Sequence, residues 1–112
     1  MLSGAKIKEV IDPLQNAKLA LFDNFSDVLL ELIQPLNEKS FTWNWLLKNG
    51  NGFHHFCYEV ENVAILNEVI ARNKLLSVLD PIPAILFENR YVCFCYSRNR
   101  QIVEFLINNY EN

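Results

Sequence analysis

Two glutamates and one histidine stand in segments that otherwise carry mainly apolar side chains. Glu31 interrupts the run "VLLELIQP", Glu104 interrupts "QIVEFLIN", and His55 belongs to the strand-like segment "GFHHFCYEV". An ionised carboxylate among apolar neighbours is costly unless a cation or several hydrogen bonds meet it. A divalent metal held by one imidazole and two carboxylates would satisfy both glutamates at once. Such a mixed nitrogen and oxygen set suits Mn, Co, Fe, Ni or Zn better than Ca.

The same residues also have an interpretation without a metal. A strand glutamate usually faces solvent or pairs with a basic residue on a neighbouring strand, and Lys18, Arg90 and Arg98 are available. His55 could equally be an inward histidine whose nitrogens bond to the backbone. His54 falls on the opposite face by strand alternation, so it is predicted to be a surface or helix-facing residue. The residues alone leave both interpretations open.

Hydrophobic periodicity predicts the elements that must position these side chains. The first half of the chain contains three strand-like segments, "KIKEVI", "AKLALFDN" and "VLLELIQ". The last two are separated by the short turn "DNFSD", which predicts an antiparallel hairpin. Residues 38–51 follow as a linking helix, with Ser40 as its N-cap and Gly50 as the left-handed residue at its end.

The second half predicts the order strand, helix, strand, strand, strand. Asn62 is expected to cap the helix "VAILNEVIARNK", and the later strands are "LLSVL", "RYVCFCY" and "QIVEFLIN", with "DPIPAILFEN" as a loop. The strands of the first half correspond to the last three of this unit, which is a weak internal repeat. We therefore expect one α+β domain over residues 1–112, with an incomplete first module at 1–37 and a complete βαβββ module at 52–108.

Composition and charge exclude several classes of function. The 112 residues include 10 basic and 13 acidic side chains, for a net charge of −3, and no basic cluster indicates a nucleic-acid partner. No apolar run reaches membrane-spanning length. Three cysteines, an odd number, favour a reducing, cytoplasmic setting over a disulfide framework. Cys93 and Cys95 share one strand face and are predicted to be small buried hydrophobes.

Nearly the whole chain, roughly residues 6 to 107, resembles methylmalonyl-CoA epimerases of the vicinal oxygen chelate superfamily, which also includes glyoxalase and the bleomycin-resistance proteins. The segments that carry the resemblance are the strand and proline stop from Glu31 to Pro35, the "G-x-H-H" opening of a strand, and the "V-E" of the last strand. The resemblance implies two glyoxalase-like βαβββ modules that form a cupped mixed sheet around a divalent metal, with helices on the outer face. It implies that Glu31, His55 and Glu104 are ligands of that metal.

The chain also departs from this pattern. A complete first module opens with a strand that bears another histidine ligand, followed by a helix, whereas "KIKEVIDPLQNAKLALFDN" corresponds only to its second and third strands. With one ligand absent, water could complete the shell, a second chain could donate a group, no metal could bind, or DNA upstream could encode the missing strand. An exposed sheet edge and an uncovered apolar face favour self-association, so we expect a homodimer.

The resemblance implies two alternative functions. As an enzyme, an epimerase, isomerase or lyase, the protein would use the metal to hold two substrate oxygens and stabilise an enolate-type intermediate while a carboxylate moves a proton. The expected substrate is an acyl compound such as a CoA thioester. As a non-catalytic module with a degenerate metal site, the protein would bind a small acyl ligand or serve as a dimerisation scaffold.

Overall fold

The computed structural model describes residues 5–23 and 27–111, which form two compact units, the first ending at Gly52 and the second beginning at Phe53. The described elements of the first unit are β1 (Lys6–Asp12), β2 (Ala17–Phe22), β3 (Leu30–Pro35) and α1 (Trp43–Asn49). Those of the second unit are β4 (His55–Asn62), α2 (Val63–Arg72), β5 (Leu76–Ala84), a 3-10 turn (Ile85–Phe87), β6 (Arg90–Tyr96) and β7 (Ile102–Asn109). This mixture of helices and strands confirms the α+β prediction.

The first unit contains an antiparallel sheet in the order β1-β2-β3. Strand alternation gives β2 one buried face, formed by Ala17, Leu19 and Leu21, because successive side chains of a strand point to opposite faces. The predicted pairing of the last two strands is confirmed, with Leu19 opposite Ile33 and Leu21 opposite Glu31. The predicted turn "DNFSD" includes residues 24–26, which lie outside the described residues.

The linking helix is shorter than predicted at its beginning. Ser40 is not the N-cap: α1 begins at Trp43, and Thr42 occupies the cap position without a side-chain cap. The Ser40 carbonyl instead accepts a hydrogen bond from the Trp43 amide at 3.1 Å, in a turn that precedes the helix. The other end agrees with the prediction, because Gly50 has φ +70° and its amide donates to the Leu46 carbonyl at 2.8 Å.

The second unit contains a sheet in the order β4-β7-β6-β5, in which β4 runs parallel to β7 and the other pairs are antiparallel. The helix α2 connects β4 to β5, and the Asn62 side chain caps it by accepting a hydrogen bond from the Ile65 amide at 2.9 Å, as predicted. The predicted order strand, helix, strand, strand, strand is therefore confirmed. Within the described residues, the helices lack the length and apolar content needed to span a bilayer.

The core of the second unit lies between α2 and one face of its sheet. Its buried members are Val60, Leu66, Cys93, Cys95, Phe105 and Ile107. Both cysteines of β6 are buried, which confirms their prediction as small core residues. Because Phe105 and Ile107 face the helix, the alternating residues Glu104 and Leu106 of β7 project from the opposite face.

The prediction of a loop at "DPIPAILFEN" is wrong in its first half. Strand β5 continues through Pro81 and Pro83 to Ala84, and only then does the 3-10 turn begin. β5 is at the edge of the sheet, where a residue without an amide proton is tolerated. The register also shifts between Leu79 and Ile82, so Pro81 falls within an irregular stretch of the pairing.

Candidate functional site

The side chains of chemical interest in the second unit lie on the sheet face that is turned away from α2. In the parallel pairing of β4 with β7, His55 is opposite Ile102 and Cys57 is opposite Glu104. Paired residues of neighbouring strands share a face, so His55, Cys57 and Glu104 project in the same direction. Strand alternation had predicted which face of its own strand each of His55 and Glu104 occupies.

His55 and Glu104 meet as a buried pair on this face. The distance from His55 Nε2 to Glu104 Oε1 is 2.9 Å, and the two side chains are only 5% and 4% exposed. Phe94, which is opposite Glu104 on β6, places its ring edgewise to the His55 imidazole with the ring centroids 5.6 Å apart. A carboxylate accepts hydrogen bonds and does not donate them, so His55 Nε2 is the donor of this bond. A buried carboxylate requires a hydrogen-bond partner, and the His55 imidazole is that partner for Glu104.

Two of the three basic residues that offered an alternative partner for the glutamates have other contacts. Arg90 donates to Asn108 Oδ1 at 2.8 Å and to the Phe87 carbonyl at 3.3 Å. Lys18 lies 3.3 Å from a carboxylate oxygen of Glu9 within the first unit. The contacts described for Glu104 therefore favour the histidine pairing over an ion pair with either of these cations.

A second histidine, which sequence reasoning assigned to the other face, contacts the first. The Nδ1 atoms of His54 and His55 are 2.6 Å apart, and the rings meet edge to face with centroids 4.8 Å apart. His54 precedes β4, so the alternation rule that separates neighbouring side chains does not apply to it. The prediction of a surface or helix-facing residue is therefore replaced by a contact with the candidate site.

Burial of His54 disfavours its charged form. Loss of solvent, with a smaller contribution from the charge of His55, lowers the pKa of His54 from 6.5 to about 4. His54 is consequently neutral at pH 7, with one ring nitrogen as a donor and the other as an acceptor. The only sequence signal for this contact was the pair of adjacent histidines at the start of a strand.

Glu31 belongs to the first unit, where it occupies the second position of β3. It pairs with Leu21 and therefore projects from the same face as the buried side chains of β2. Its own side chain is half-buried. The structure thus brings together two of the three predicted ligands within one unit, and the participation of Glu31 stays a prediction.

The donor chemistry of the His55 and Glu104 pair fits a divalent transition metal. Imidazole nitrogen and carboxylate oxygen ligands of zinc lie about 2.0–2.2 Å from the ion, so two neighbouring ligand atoms come about 3 Å from each other. The 2.9 Å between Nε2 and Oε1 matches that separation. Once the proton has left Nε2, the two side chains could therefore become ligands of one ion, in agreement with the mixed ligand set that the sequence predicted.

A cavity of about 690 Å³ lies on the other side of the same sheet, beside α2. Its lining includes the apolar side chains of Val69 and Phe105 and the basic side chain of Arg98. Its volume is typical of small-molecule pockets. Neither His55 nor Glu104 lines this cavity, so the candidate metal ligands are not part of this pocket.

Comparison with known proteins identifies relatives of the chain. The methylmalonyl-CoA epimerase, mitochondrial, of Dictyostelium discoideum is 30% identical over 105 residues, which cover 90% of this chain and 62% of that protein. The chain thus spans less than two thirds of the length of this relative.

Solved structures show the same fold. The methylmalonyl-CoA epimerase from Mycobacterium tuberculosis superposes with a TM-score of 0.80 at 18% identity, covering 94% of this chain and 71% of that chain. A variant of the Streptomyces coelicolor methylmalonyl-CoA epimerase in complex with 2-nitronate-propionyl-CoA has a TM-score of 0.76 at 20% identity, covering 93% of this chain and 79% of that chain. These likenesses confirm the predicted glyoxalase-like fold.

A family model supplies the assignment. Residues 2–94 match the model of the Glyoxalase/Bleomycin resistance protein/Dioxygenase superfamily. The matched residues make up well over half of the chain. The resemblance expected from the "G-x-H-H" strand opening and from the strand that contains Glu31 is thereby confirmed. This chain belongs to the Glyoxalase/Bleomycin resistance protein/Dioxygenase superfamily.

Proposed function

We propose that this protein is a metal-dependent epimerase-type enzyme that acts on a CoA thioester through an enolate-type intermediate. The observation that carries the proposal is the buried contact between His55 and Glu104, whose two donor atoms have the spacing of neighbouring metal ligands. The relatives support the substrate class, because the Dictyostelium discoideum protein is named a methylmalonyl-CoA epimerase and a solved relative contains a propionyl-CoA derivative.

Three residues of this chain would hold the ion in this proposal: His55, Glu104 and Glu31. Their nitrogen and oxygen donors suit Co, Mn, Ni, Zn or Fe. A bound divalent cation would supply electrostatic stabilisation of the negative charge that develops on the thioester oxygen when the α-proton leaves. The protein would contribute surroundings with a low dielectric, because Glu104 is buried and its neighbours on this face, Phe94 and Leu106, are buried and apolar.

Metal analysis together with isotope exchange tests the proposal. We expect purified protein to bind one equivalent of Co²⁺ or Mn²⁺ and to incorporate solvent deuterium at the α-carbon of methylmalonyl-CoA. In His55→Ala, loss of an imidazole ligand should reduce both the metal content and the exchange rate by more than about tenfold. Glu61→Gln is the matched control, because Glu61 is an exposed residue of β4 on the same face as His55 and does not line the cavity beside α2.

Two outcomes would contradict the enzyme proposal. One is a wild-type protein that takes up no divalent cation and shows no exchange above background. The other is a metal-free protein that binds an acyl-CoA as tightly in His55→Ala as in the wild type. The second outcome would support the alternative function, a non-catalytic acyl-binding module, for which the cavity beside α2 offers a pocket.

We also propose that the protein is a homodimer. In the first unit, the sheet face opposite Leu19 and Leu21 carries exposed apolar side chains, including Ile11 at 60% and Leu32 at 39% exposure. Apolar groups on a sheet face favour association. Light scattering should therefore give twice the 13.1 kDa of one chain, and Leu32→Lys should shift the population to monomer. A monomeric wild-type protein at micromolar concentration would contradict this proposal.

The cellular setting belongs to the same proposal. The three cysteines are free thiols, as expected in a reducing compartment such as the cytoplasm. The name of the Dictyostelium discoideum relative places that protein in the mitochondrion. Fractionation of the cells that express the chain would decide between the two compartments.

A further inference from the structure

We propose that His54 is a positioning residue for His55, and that its Nδ1 atom supports the neighbouring imidazole through a hydrogen bond that can run in either direction. The inference rests on the proposed function only where it concerns a bound cation. Its structural basis is the 2.6 Å contact between the two Nδ1 atoms.

The His55 ring is held at both of its nitrogens. Nε2 donates to Glu104 at 2.9 Å, and Nδ1 faces His54, while the Phe94 ring contacts the imidazole edgewise. A ring with partners at both nitrogens has one preferred rotation. Second partners of this kind orient metal-binding histidines in general, where they are most often a carboxylate, a backbone carbonyl or water.

A histidine partner differs from those common partners because it can both donate and accept. When His55 Nε2 carries the proton and donates to Glu104, His55 Nδ1 has a free electron pair and needs a donor, which is the Nδ1–H of His54. When the electron pair of His55 Nε2 is directed at a cation, the proton of His55 lies on Nδ1 and needs an acceptor. His54 can meet that need by carrying its own proton on Nε2. A backbone carbonyl would serve only the second arrangement, and a backbone amide only the first.

The local backbone makes this contact available to adjacent residues. Neighbours within a strand point to opposite faces, so two consecutive histidines inside β4 could not touch. The strand begins at His55, and His54 lies just outside it, which lets the two rings meet edge to face at 4.8 Å. The "G-x-H-H" opening therefore places a ligand and its support side by side in sequence and in space.

Nuclear magnetic resonance of the full chain labelled with ¹⁵N tests the contact without a metal. An N–H···N bond transmits a coupling between its two nitrogens, so we expect a coupling between His54 Nδ1 and His55 Nδ1, with the proton on His54. On addition of Zn²⁺ the same coupling should persist with the proton on His55. Absence of the coupling in metal-free protein would overturn the inference, whether or not the protein binds metal.

Two substitutions test the consequence for metal affinity. His54→Phe keeps an aromatic ring but removes both nitrogens, and we expect Zn²⁺ affinity measured by calorimetry to fall about 10–100-fold. His54→Asn retains an amide that can donate or accept near the position of Nδ1, so it should recover most of that affinity. A folded His54→Phe variant that binds Zn²⁺ as tightly as the wild type would overturn the inference. If the wild type binds no Zn²⁺, the proposed function fails, and the coupling in metal-free protein alone decides the role of His54.

Discussion

His55 and Glu104 are not direct partners in the pairing of β4 with β7, yet their side chains meet with Nε2 and Oε1 2.9 Å apart. The residue opposite Glu104 is Cys57, and His55 lies two positions before it on the same face. The contact therefore depends on the parallel register of two strands that are separated in sequence by a helix and two further strands. A buried carboxylate that finds its partner in this way explains why a glutamate is tolerated in "QIVEFLIN".

The first prediction concerns the stability of this pair in metal-free protein. Glu104→Leu removes the only acceptor described for His55 Nε2, and the buried N–H left behind should lower the free energy of unfolding by about 1–3 kcal/mol. Glu104→Gln keeps an amide oxygen as an acceptor, so its loss should be smaller. Urea unfolding of the two variants measures the difference. A Glu104→Leu protein as stable as the wild type would mean that the pair contributes nothing to folding.

The second prediction is a pH dependence of stability that comes from His54. Its pKa is about 4 in the folded protein and near the ordinary value of 6.5 in the unfolded chain, because folding removes solvent from the ring. Between these values the unfolded chain binds the proton and the folded protein does not, so the free energy of unfolding should rise as the pH increases from 4 to 6.5. Above pH 6.5 this contribution should be constant.

The variant His54→Phe isolates this contribution because it cannot bind the proton. Urea unfolding of both proteins at several pH values should give a steeper increase for the wild type across that window. Equal slopes would show that His54 titrates alike in the folded and unfolded states. The comparison is made as a difference between the two proteins, so the titrating groups that do not contact His54 cancel.

Much of the candidate site could be predicted from residue types, because a charged side chain in an apolar strand requires a partner. Strand alternation alone placed His55 and Glu104 on definite faces of their strands. It failed for His54, since that residue lies one position before the strand, and boundaries are the least predictable part of an element. Which strands are neighbours also depends on tertiary packing, so no local pattern could show that Glu104 would meet an imidazole and not an arginine.

The errors in the fold have local causes too. A loop was predicted at "DPIPAILFEN", but its first half is a strand at the edge of a sheet, where proline is tolerated because the outer amides need no partner. Ser40 had the right chemistry for an N-cap, yet the cap position is at Thr42, two residues later, and the Ser40 hydroxyl contacts the Thr42 hydroxyl. The capping prediction at Asn62 succeeded, because there the strand leads directly into the helix.

The third prediction distinguishes the cysteines by their reactivity. Cys57 is exposed, whereas burial, the charge of Cys93 and a hydrogen bond to Cys93 raise the pKa of the Cys95 thiol to about 12. The thiolate is the reactive form, so Cys95 should resist alkylation at pH 8. Iodoacetamide should therefore modify one thiol rapidly in native protein and all three after unfolding. Cys57→Ser should abolish the rapid reaction, and a rapid reaction that persists in this variant would contradict the buried placement of β6.

The fourth prediction concerns the helix that supports the site from the opposite face of the sheet. Leu66 of α2 is 2% exposed and packs against the face of β7 that carries Phe105. Leu66→Ala should leave a cavity there and lower the free energy of unfolding by about 2–5 kcal/mol. Ile65→Ala is the matched control, because Ile65 is 40% exposed in the same helix, and its cost should stay within about 0.5 kcal/mol.

The same variant separates support of the fold from chemistry at the site. Phe105 faces α2 and Glu104 faces away from it, so a cavity at Leu66 removes contacts from one face while the pair with His55 remains on the other. We therefore expect Leu66→Ala to retain the ¹⁵N coupling between His54 and His55 at temperatures where it is folded. Loss of that coupling in folded Leu66→Ala protein would show that α2 also determines where the histidines lie.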